Sequence, residues 1–529
     1  MTSFVLALFF APLLALAAAA FADPGRRPRA VAAVRWGAVA LLVAAAALIA
    51  VFVTGGPESV RLLGAEVAVF SLRLDMISAI LLSLVATLGA IVLNFSRVYL
   101  DGEARQGAFI GWMSLTLVAV GALIAAGDLI TLCLAWAATS AGLGRLLLFY
   151  PDRPGAQRAA RKKSLVARAG DVALFGAAVS LWIAFGETDI AAIAERARAE
   201  GAEGGEGAAL FGAALIALAA ILKSAQFPAH GWLTEVMETP TPVSALLHAG
   251  LINAGGFLLI RFADLLIGAP GVLAALVMIG GFTALFGSLV MLTQSAVKTS
   301  LAWSTISQMG FMILQCGLAL FPLALLHIVA HSLYKAHAFL SSGGAVAQVA
   351  SIRRPGPIAT PGLGAVGRAF GVALAIYAVV AIGFAAFAGA EGKSPQAIAL
   401  GAILIFGVAY LLAQGFADAA PAALTRYTAL YAGAAAIAYF ALQRGAEALM
   451  ADALPPTPSA GALEWALLTL AILSFGSVAI AQATFPLWSS HPAAAGLRVH
   501  LVNGLYVNAV SDRLLGGWST TRSSRSTQA

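Results

Sequence analysis

Long apolar stretches, separated by short polar ones, follow one another along nearly the whole chain. A membrane-spanning helix needs roughly 20 apolar residues to cross a hydrocarbon core of about 30 Å. Fifteen stretches reach about that length, near residues 2–22, 31–53, 76–94, 108–126, 129–149, 165–185, 208–227, 243–260, 270–292, 301–319, 321–349, 370–389, 397–415, 420–442 and 462–484. Because a stretch can also be re-entrant, the pattern predicts an all-α integral membrane protein with about 13–15 transmembrane helices.

Composition agrees with a membrane protein. The 529 residues are 61% hydrophobic and only 10% charged, too little charge for the surface of a soluble protein of this size. The two cysteines, Cys133 and Cys316, lie inside apolar stretches without paired spacing, so neither a disulfide nor a metal site is expected. The sequence contains no nucleotide, haem or zinc motif. The chain alone is therefore predicted to be neither a redox enzyme nor an ATPase, and to have no cofactor.

Lysine and arginine are unevenly divided between the two sides of the predicted bundle. With each loop numbered by the helix before it, odd loops and the C-terminal tail hold 22 of the 31 basic residues, and even loops hold 7. The positive-inside rule then places odd loops and the tail in the cytoplasm and the N-terminus outside. The net charge of +7 lies in these loops and needs no nucleic acid to explain it. The first stretch lacks a basic n-region, so we expect a spanning helix rather than a cleaved signal.

The remaining two basic residues, Lys223 and Lys335, lie within membrane segments. Lys223 stands near the end of an apolar stretch, and a polar break with Pro228, Glu235 and Glu238 follows it. A charge at membrane depth costs roughly 2.5–3.5 kcal/mol, so such residues are normally kept for ion handling. Irregular backbone is tolerated there only beside protein or a water-filled cavity. The break therefore predicts an ion path, and a lysine that snorkels to the interface is the alternative.

Histidines extend this polar set. His248 lies about two turns into the helix that begins at the proline-rich segment 239–242. A histidine titrates near neutral pH and can pass protons, and the alternative is a buried structural histidine. His327, His331 and Lys335 are spaced i, i+4 and i+8, so they share one helix face. Zinc binding by the two histidines is the alternative, but Lys335 on the same face opposes a cation.

Asp171 and Lys298 are open to two interpretations each. Asp171 follows Arg168 near the start of the sixth stretch, where it either tunes the charge of a lysine or complements the dipole of a helix N-terminus. Lys298 begins the tenth stretch, as either a relay residue or an interfacial anchor. The candidate residues for ion translocation are therefore Lys223, His248, His327, His331, Lys335, Asp171, Lys298, Glu235 and Glu238.

These residues stand in a recognisable pattern. The segments Lys223-Ser-Ala-Gln-Phe-Pro, Pro240-Thr-Pro-Val-Ser-Ala-Leu-Leu-His248 and His331-Ser-Leu-Tyr-Lys335 resemble the antiporter-like subunits of respiratory complex I and of Mrp antiporters, over roughly residues 70–350. The resemblance implies two inverted five-helix repeats, each with a broken helix, and a polar axis along the membrane midplane that moves protons. It makes Lys223 the central lysine and His248 the next relay residue. It also makes His327, His331 and Lys335 the link toward the second half, and matches Asp171 to an aspartate of complex I subunit L.

Two departures narrow the resemblance. Those subunits have a glutamate after the tryptophan of the fifth span, whereas Ala137 follows Trp136 here. A second broken helix is not recognisable after residue 369, and Lys393 is a poor substitute for its lysine. With the tail segment Val499-His-Leu-Val-Asn-Gly-Leu-Tyr, these departures make the chain similar to the membrane subunits of the DAB inorganic-carbon accumulation complexes.

The expected organisation has five parts. They are N-terminal scaffold helices (1–106), a first antiporter-like repeat (107–265), a second, divergent repeat (266–420), C-terminal helices (421–490) and a cytoplasmic tail (491–529). The tail is too short and too polar to span, so it is expected to be amphipathic at the interface or to bind a partner, with a disordered end.

The resemblance to the DAB complexes implies a function and a partner. The chain would conduct protons or Na⁺ and so drive a soluble, zinc-containing protein resembling a β-carbonic anhydrase, which would hydrate CO2 to bicarbonate. Two other functions stay open. One is a subunit of a cation/proton antiporter or a complex I-like NADH–quinone oxidoreductase, and the other is a passive membrane anchor for a soluble partner.

Overall fold

A computed structural model of the chain describes residues 1–25, 29–65, 68–200, 207–344, 351, 361–388, 393–416 and 422–514. Four of the basic residues counted in the odd loops (Arg26, Arg27, Arg353 and Arg354) and the tail from residue 515 onward lie outside these residues. The chain forms two compact units. The first comprises Met1–Val272, His327–Ser342 and Asn508–Ala529, and the second comprises Leu273–Leu326 and Gly343–Val507. The five-part division stays a prediction.

The first unit is mainly helical. Its helices before residue 270 are α1 (Thr2–Ala22), α2 (Arg29–Gly55), α3 (Met76–Tyr99), α4 (Gln106–Ile124), α5 (Leu129–Leu147), α6 (Pro154–Phe185), α7 (Ile190–Glu200), α8 (Ala208–Lys223), α9 (Gly231–Glu235), α10 (Thr241–Ala249), α11 (Ala254–Arg261) and α12 (Ala263–Ile267). Short 3-10 turns lie at Val236–Glu238 and Leu251–Asn253. Strands β1 (Glu58–Ala65) and β2 (Ala68–Leu74) pair antiparallel, with Glu58 opposite Leu74.

The helices of the second unit pack around an apolar core that includes Leu314, Leu318, Leu400 and Leu468. Helix α13 (Pro270–Met291) enters this unit, α14 (Val297–Gly317) lies within it, and α15 (Phe321–Ser341) starts in it and belongs to the first unit from His327 onward. The later helices are Leu363–Ala388, Pro395–Gly415, Ala422–Met450, Ala462–Ala483, Phe485–Trp488 and Ala495–Val502, and a last one, Val507–Leu514, lies almost wholly in the first unit.

Each predicted apolar stretch coincides with a helix, except 243–260, which is divided between α10 and α11. Among the described residues, 11 helices are long and apolar enough to cross a membrane. The all-α, polytopic fold class is therefore confirmed. The β1–β2 hairpin was not predicted, because a short polar run between two long apolar stretches gives only a weak period-two signal.

Contacts within the first unit sort its loops into two ends. At one end, Arg198 binds both carboxylate oxygens of Asp264, at 2.7 and 3.0 Å. At the other, Lys162 pairs with Glu235 and lies 2.6 Å from a carboxylate oxygen of Asp512. The first pair stands in even loops and the second group in odd loops or the tail, which is the grouping that alternating helices require. Which end faces the cytoplasm stays a prediction.

Helix α6 begins much earlier than the apolar pattern predicted. Pro154 occupies its first turn, where a missing N–H costs nothing, and the helix runs for 32 residues to Phe185. Its first turns are polar, and the prediction followed only the apolar stretch from residue 165 onward. Asp171 therefore lies in the middle of a helix. The interpretation that it complements a helix N-terminus is wrong.

Candidate ion-translocation site

Two interruptions of the helical backbone frame the site. Helix α8 ends at Lys223, and α10 resumes at Thr241 with Pro240 as its N-cap, as the proline-rich segment predicted. A second interruption at Gly250, which the sequence did not predict, is followed by the 3-10 turn that separates α10 from α11. The stretch from Thr241 to Arg261 is almost entirely buried. Irregular backbone is thus enclosed by protein, the setting in which membrane proteins tolerate it.

Residues of helix α5 bind the side chain of Lys223, which ends α8. The Lys223 ammonium donates to Thr139 Oγ1 at 3.0 Å, to Ser140 Oγ at 2.8 Å and to the Trp136 carbonyl oxygen at 3.2 Å. It also lies 4.3 Å from the centre of the Trp136 ring, a cation–π contact. All three N–H donors are therefore satisfied by one neighbouring helix. These contacts are with buried residues, which disfavours a lysine that snorkels to the interface.

A second lysine reaches the same turn of α5. Lys163 Nζ donates to the Ser140 carbonyl oxygen, and only 6% of Lys163 is exposed. Asp171, about two turns further along α6, is half-buried and interacts electrostatically with both Lys163 and Lys223. In the described part of the chain it forms no ion pair with either lysine. Lys163 and Lys223 thus form a lysine pair, and both interact electrostatically with the one carboxylate of Asp171.

Two adjoining cavities surround the lysine pair. The outer, larger one is lined by Asp171, Lys163 and Ser140 among others. The inner, smaller one is lined by Lys163, Lys223, Thr139 and Ser140 among others. Lys163 and Ser140 line both cavities and so lie between them. Water in the outer cavity therefore lies beside Ser140, the residue whose hydroxyl accepts a hydrogen bond from Lys223.

A third cavity lies between Thr139 and α15. It is lined by Thr139, Asn253 and Ser332, and otherwise by apolar residues. Asn253 Nδ2 donates to Ser332 Oγ at 3.0 Å and to the Ala249 carbonyl oxygen at 3.0 Å. Thr139 binds Lys223, and Ser332 directly follows His331. A proton route through this cavity would cross a mainly apolar space, which requires water to enter it.

The polar stripe on α15 has the shared face that its spacing predicts. The rings of His327 and His331 are 5.8 Å apart between centroids. His331 is 5% and Lys335 0% exposed, whereas His337, off this face, is exposed. Among the described residues, neither ring nitrogen of His331 has a hydrogen-bond partner. His331 is therefore a buried titratable group with unused hydrogen-bonding capacity.

His248 joins this stripe from α10. It is fully buried, and its ring stacks on Phe339 with 4.2 Å between centroids. It interacts electrostatically with Lys335 and His331. The structure thus brings together candidates that are some eighty residues apart in sequence.

Glu235 belongs to a different cluster, formed with the tail. Its carboxylate pairs with Lys162, which also binds Asp512 at 2.6 Å. Asn508 Nδ2 donates to Thr234 Oγ1 at 2.9 Å. The helix Val507–Leu514 is therefore fastened to the broken segment after Lys223 by an ion triad and a hydrogen bond.

The structure does not test two further candidates. Glu238 ends a 3-10 turn, and its side chain lies outside the described part of the chain. Lys298 is the second residue of α14 in the second unit, so its two interpretations stay open. In the same unit, Lys393 Nζ donates to Gln443 Oε1 at 3.0 Å and lies 3.5 Å from the centre of the Phe440 ring.

Sequence reasoning missed four residues of the site: Lys162, Lys163, Thr139 and Ser140. The two lysines were counted as loop charges, since they precede the apolar part of α6. A signal was available, because Lys163 and Asp171 are eight residues apart and hence share a helix face. The two hydroxyls carry no such signal in a helix, where serine and threonine often bond only their own backbone.

Replacing Asp512 with asparagine is expected to loosen the tail. Lys162 is nearly buried and keeps only Glu235 as a charged partner, and a hydrogen bond to a charged group contributes about 1.5–3 kcal/mol. Hydrogen–deuterium exchange of the full chain in lipid should become faster in residues 507–514 and 231–238. Asp452, an exposed aspartate elsewhere, provides the control Asp452→Asn. Equal exchange in both variants would show that the ion triad does not hold the tail.

Comparison with known proteins shows the family of this chain. Residues 126–390 match the family described as "NADH:quinone oxidoreductase/Mrp antiporter, TM". The probable inorganic carbon transporter subunit DabB2 of Halothiobacillus neapolitanus is 38% identical over 460 residues, 85% of this chain and 81% of that protein. The chain belongs to the NADH:quinone oxidoreductase/Mrp antiporter family. The matched segment contains Trp136, Lys223, His248 and the α15 stripe.

Other members and structures agree. The probable inorganic carbon transporter subunit DabB of Hydrogenovibrio crunogenus is 43% identical over 51% of this chain and 52% of that protein. The NADH-ubiquinone oxidoreductase chain 5 of Metridium senile is 34% identical over 53% of this chain and 46% of that protein. A chain of the Mrp complex from Dietzia sp. shares the fold, with a TM-score of 0.62 and 24% identity over 98% of this chain and 60% of that chain. The protein is thus a multi-span membrane protein whose relatives are subunits of larger complexes.

Proposed function

We propose that this chain is the energy-coupling membrane subunit of an inorganic-carbon transporter. Cation flow, of H⁺ or Na⁺, follows the buried axis from Asp171 and Lys163 through Lys223 to the cluster of His331 and Lys335. The observation that supports the ion path is the pair of lysines, Lys163 of α6 and Lys223 of α8, that both bind Ser140 of α5. Cavities lie beside this pair and between it and the stripe on α15. The inorganic-carbon assignment is supported by the similarity to DabB2 over most of both chains.

The chemistry of CO2 hydration is assigned to a soluble, DabA-like zinc protein. Zinc there lowers the pKa of bound water and supplies the nucleophile for CO2 hydration. In this chain the His327–His331 pair shares its helix face with Lys335, whose positive charge opposes a metal cation. The membrane subunit would supply the driving force, and the partner would carry out the reaction that this force drives.

We further propose that the odd-loop end faces the cytoplasm in the cell inner membrane, with the N-terminus outside. The tail helix Val507–Leu514, bound to Lys162 at that end, is then available to the soluble partner. The division into a scaffold, two antiporter-like repeats, C-terminal helices and a tail belongs to the same proposal.

Growth of a carbonic-anhydrase-deficient bacterium in ambient air tests the function. The strain carries this chain with the gene for a DabA-like partner, and wild type is compared with Lys223→Ala and the exposed-site control Arg35→Gln at matched membrane levels. Rescue by wild type and the control, but not by Lys223→Ala, is the expected result. Equal rescue by all three would leave a passive anchor. No rescue by any would favour an antiporter or a complex I-like subunit.

A further inference from the structure

We propose that the inner cavity beside Lys223 binds a small monovalent oxyanion with the size and charge of bicarbonate. The cavity is small and is lined by Lys163, Lys223, Thr139, Ser140 and Trp232, and otherwise by apolar residues. The choice of bicarbonate as the physiological anion rests on the proposed function. The preference of the site for a small oxyanion follows from its own side chains.

The charged groups that the described residues place on the cavity wall are all positive. Lys163 and Lys223 both bind Ser140, and the described lining contains no carboxylate. The nearest acidic group, Asp171, lines the outer cavity and forms no ion pair with either lysine in the described chain. Two ammonium groups on one residue repel each other strongly in a weakly screening interior. An anion between them would offset that repulsion.

Hydrogen-bond donors remain unused around the same cavity. Lys223 uses its three N–H groups on α5, but Lys163 uses one, on the Ser140 carbonyl oxygen, and keeps two. The indole N–H of Trp232 is buried and has no acceptor among the described residues, and Trp232 is 6% exposed. A buried donor without an acceptor is costly and usually signals a missing partner. Ammonium and indole N–H groups are donors only, so the partner that suits them is an acceptor such as an oxyanion.

The outer cavity, next to the inner one, carries an excess of positive charge. It is lined by Arg145, Arg168 and Lys163 together with Asp171. Both arginines are exposed, so three cations face one carboxylate around the opening. An excess of one sign of charge concentrates ions of the opposite sign. Arg145 lies in the last turn of α5, at the odd-loop end, so an anion would enter from the end where the tail is bound.

An anion at this position would change the electrostatics of the ion path. It would stabilise the charged forms of Lys163 and Lys223 when bound, and release of the anion would favour the loss of a proton from one of them. The inner cavity would thus link an anion that arrives from the odd-loop end to the charge state of the central lysine.

Isothermal titration of the full chain in lipid nanodiscs tests the site. At fixed pH 8 and constant ionic strength, bicarbonate and nitrate are titrated separately, with chloride as a non-oxyanion and gluconate as an oversized anion. Saturable binding of bicarbonate and nitrate, but not of gluconate, is expected. Lys163→Met and Trp232→Phe should each weaken it, by about tenfold or more for the lysine, since a hydrogen bond to a charged group is lost. Lys163→Arg should retain binding, and Arg35→Gln should leave it unchanged.

The outcomes separate this site from the proposed function. A folded wild-type chain that binds neither bicarbonate nor nitrate saturably would overturn the site, as would binding that both Lys163→Met and Trp232→Phe leave intact. Chloride binding as tight as nitrate binding would refute the preference for an oxyanion. Monodisperse elution and an unchanged thermal midpoint identify folded variants. Binding by a chain that fails to support growth in air would leave the site standing and remove the carbon-transport function.

Discussion

Replacing Arg261 with methionine is expected to lower the free energy of unfolding by about 3–5 kcal/mol, the cost of removing one partner of a buried ion pair. Arg261 ends α11 and is 7% exposed. Its guanidinium pairs with Asp75 and donates to the Ile124 carbonyl oxygen at 3.1 Å. Without it, the nearly buried Asp75 keeps one cationic partner among the described residues, Arg73 at 3.3 Å.

Asp75 gives this prediction a pH dependence. Burial raises the pKa of the Asp75 carboxyl, but the Arg261 and Arg73 guanidiniums and the Ser78 N–H outweigh burial and lower it from 3.8 to about 2. Because the folded-state pKa is depressed, the charged carboxylate contributes stability above about pH 4, and that stability is lost as the pH falls toward 2. Arg261→Met should remove much of this dependence between pH 4 and pH 2.

Unfolding of the purified chain in mixed micelles, followed by tryptophan fluorescence at several pH values, measures both effects. Arg444→Met is the matched control, since Arg444 is partly exposed and its contact with Glu447 is 3.7 Å long. A double variant, Arg261→Met with Asp75→Asn, should recover part of the loss because no buried charge is left unpaired. A loss no larger than that of Arg444→Met would mean that the Asp75–Arg261 pair does not stabilise the fold.

The helices were predictable from sequence because their signal is local. A membrane span needs about 20 apolar residues, and that length stands out in any window. The proline-rich segment 239–242 likewise marked the start of α10, since proline suits the first turn of a helix and Pro242 lies there. The polar start of α6 was not predicted, because the sequence of amphipathic helical turns beyond an apolar stretch resembles that of a loop. That error hid Lys163 and gave Asp171 the wrong position within its helix.

Partners of the candidate residues depended on packing between distant segments. The sequence indicated Lys223 but not Thr139 and Ser140, which lie more than eighty residues earlier and bind it through side-chain hydroxyls. The shared face on α15 followed from helical spacing, whereas the approach of His248 to it did not. Spacing along one helix can be counted from sequence, while contacts between helices depend on how their surfaces fit together.

Replacing Lys223 with methionine is expected to slow cation movement through the chain by about 100-fold or more, the usual contribution of a positioned proton-transfer group. Lys223 binds Ser140, which Lys163 also binds, and it lines the inner cavity. Proteoliposomes with a potassium diffusion potential and an internal pH dye measure proton entry, and labelled sodium measures Na⁺ entry. The ion whose entry Lys223→Met abolishes is the ion that is coupled.

Lys223→Arg separates a proton relay from a fixed charge. Arginine keeps a positive charge but does not release its proton, since its pKa lies above 12 in proteins. If Lys223 passes protons, Lys223→Arg should be as slow as Lys223→Met, although an arginine at this site retains a cation for Ser140 and Trp136. If the positive charge alone matters, Lys223→Arg should keep most of the flux, and the relay would be refuted. Arg35→Gln, which removes an exposed charge, should match wild type, because the buried axis is left intact. The oxyanion site predicts the opposite tolerance at the neighbouring lysine, where Lys163→Arg should retain binding, so the two lysines of one cavity are distinguished by the same substitution.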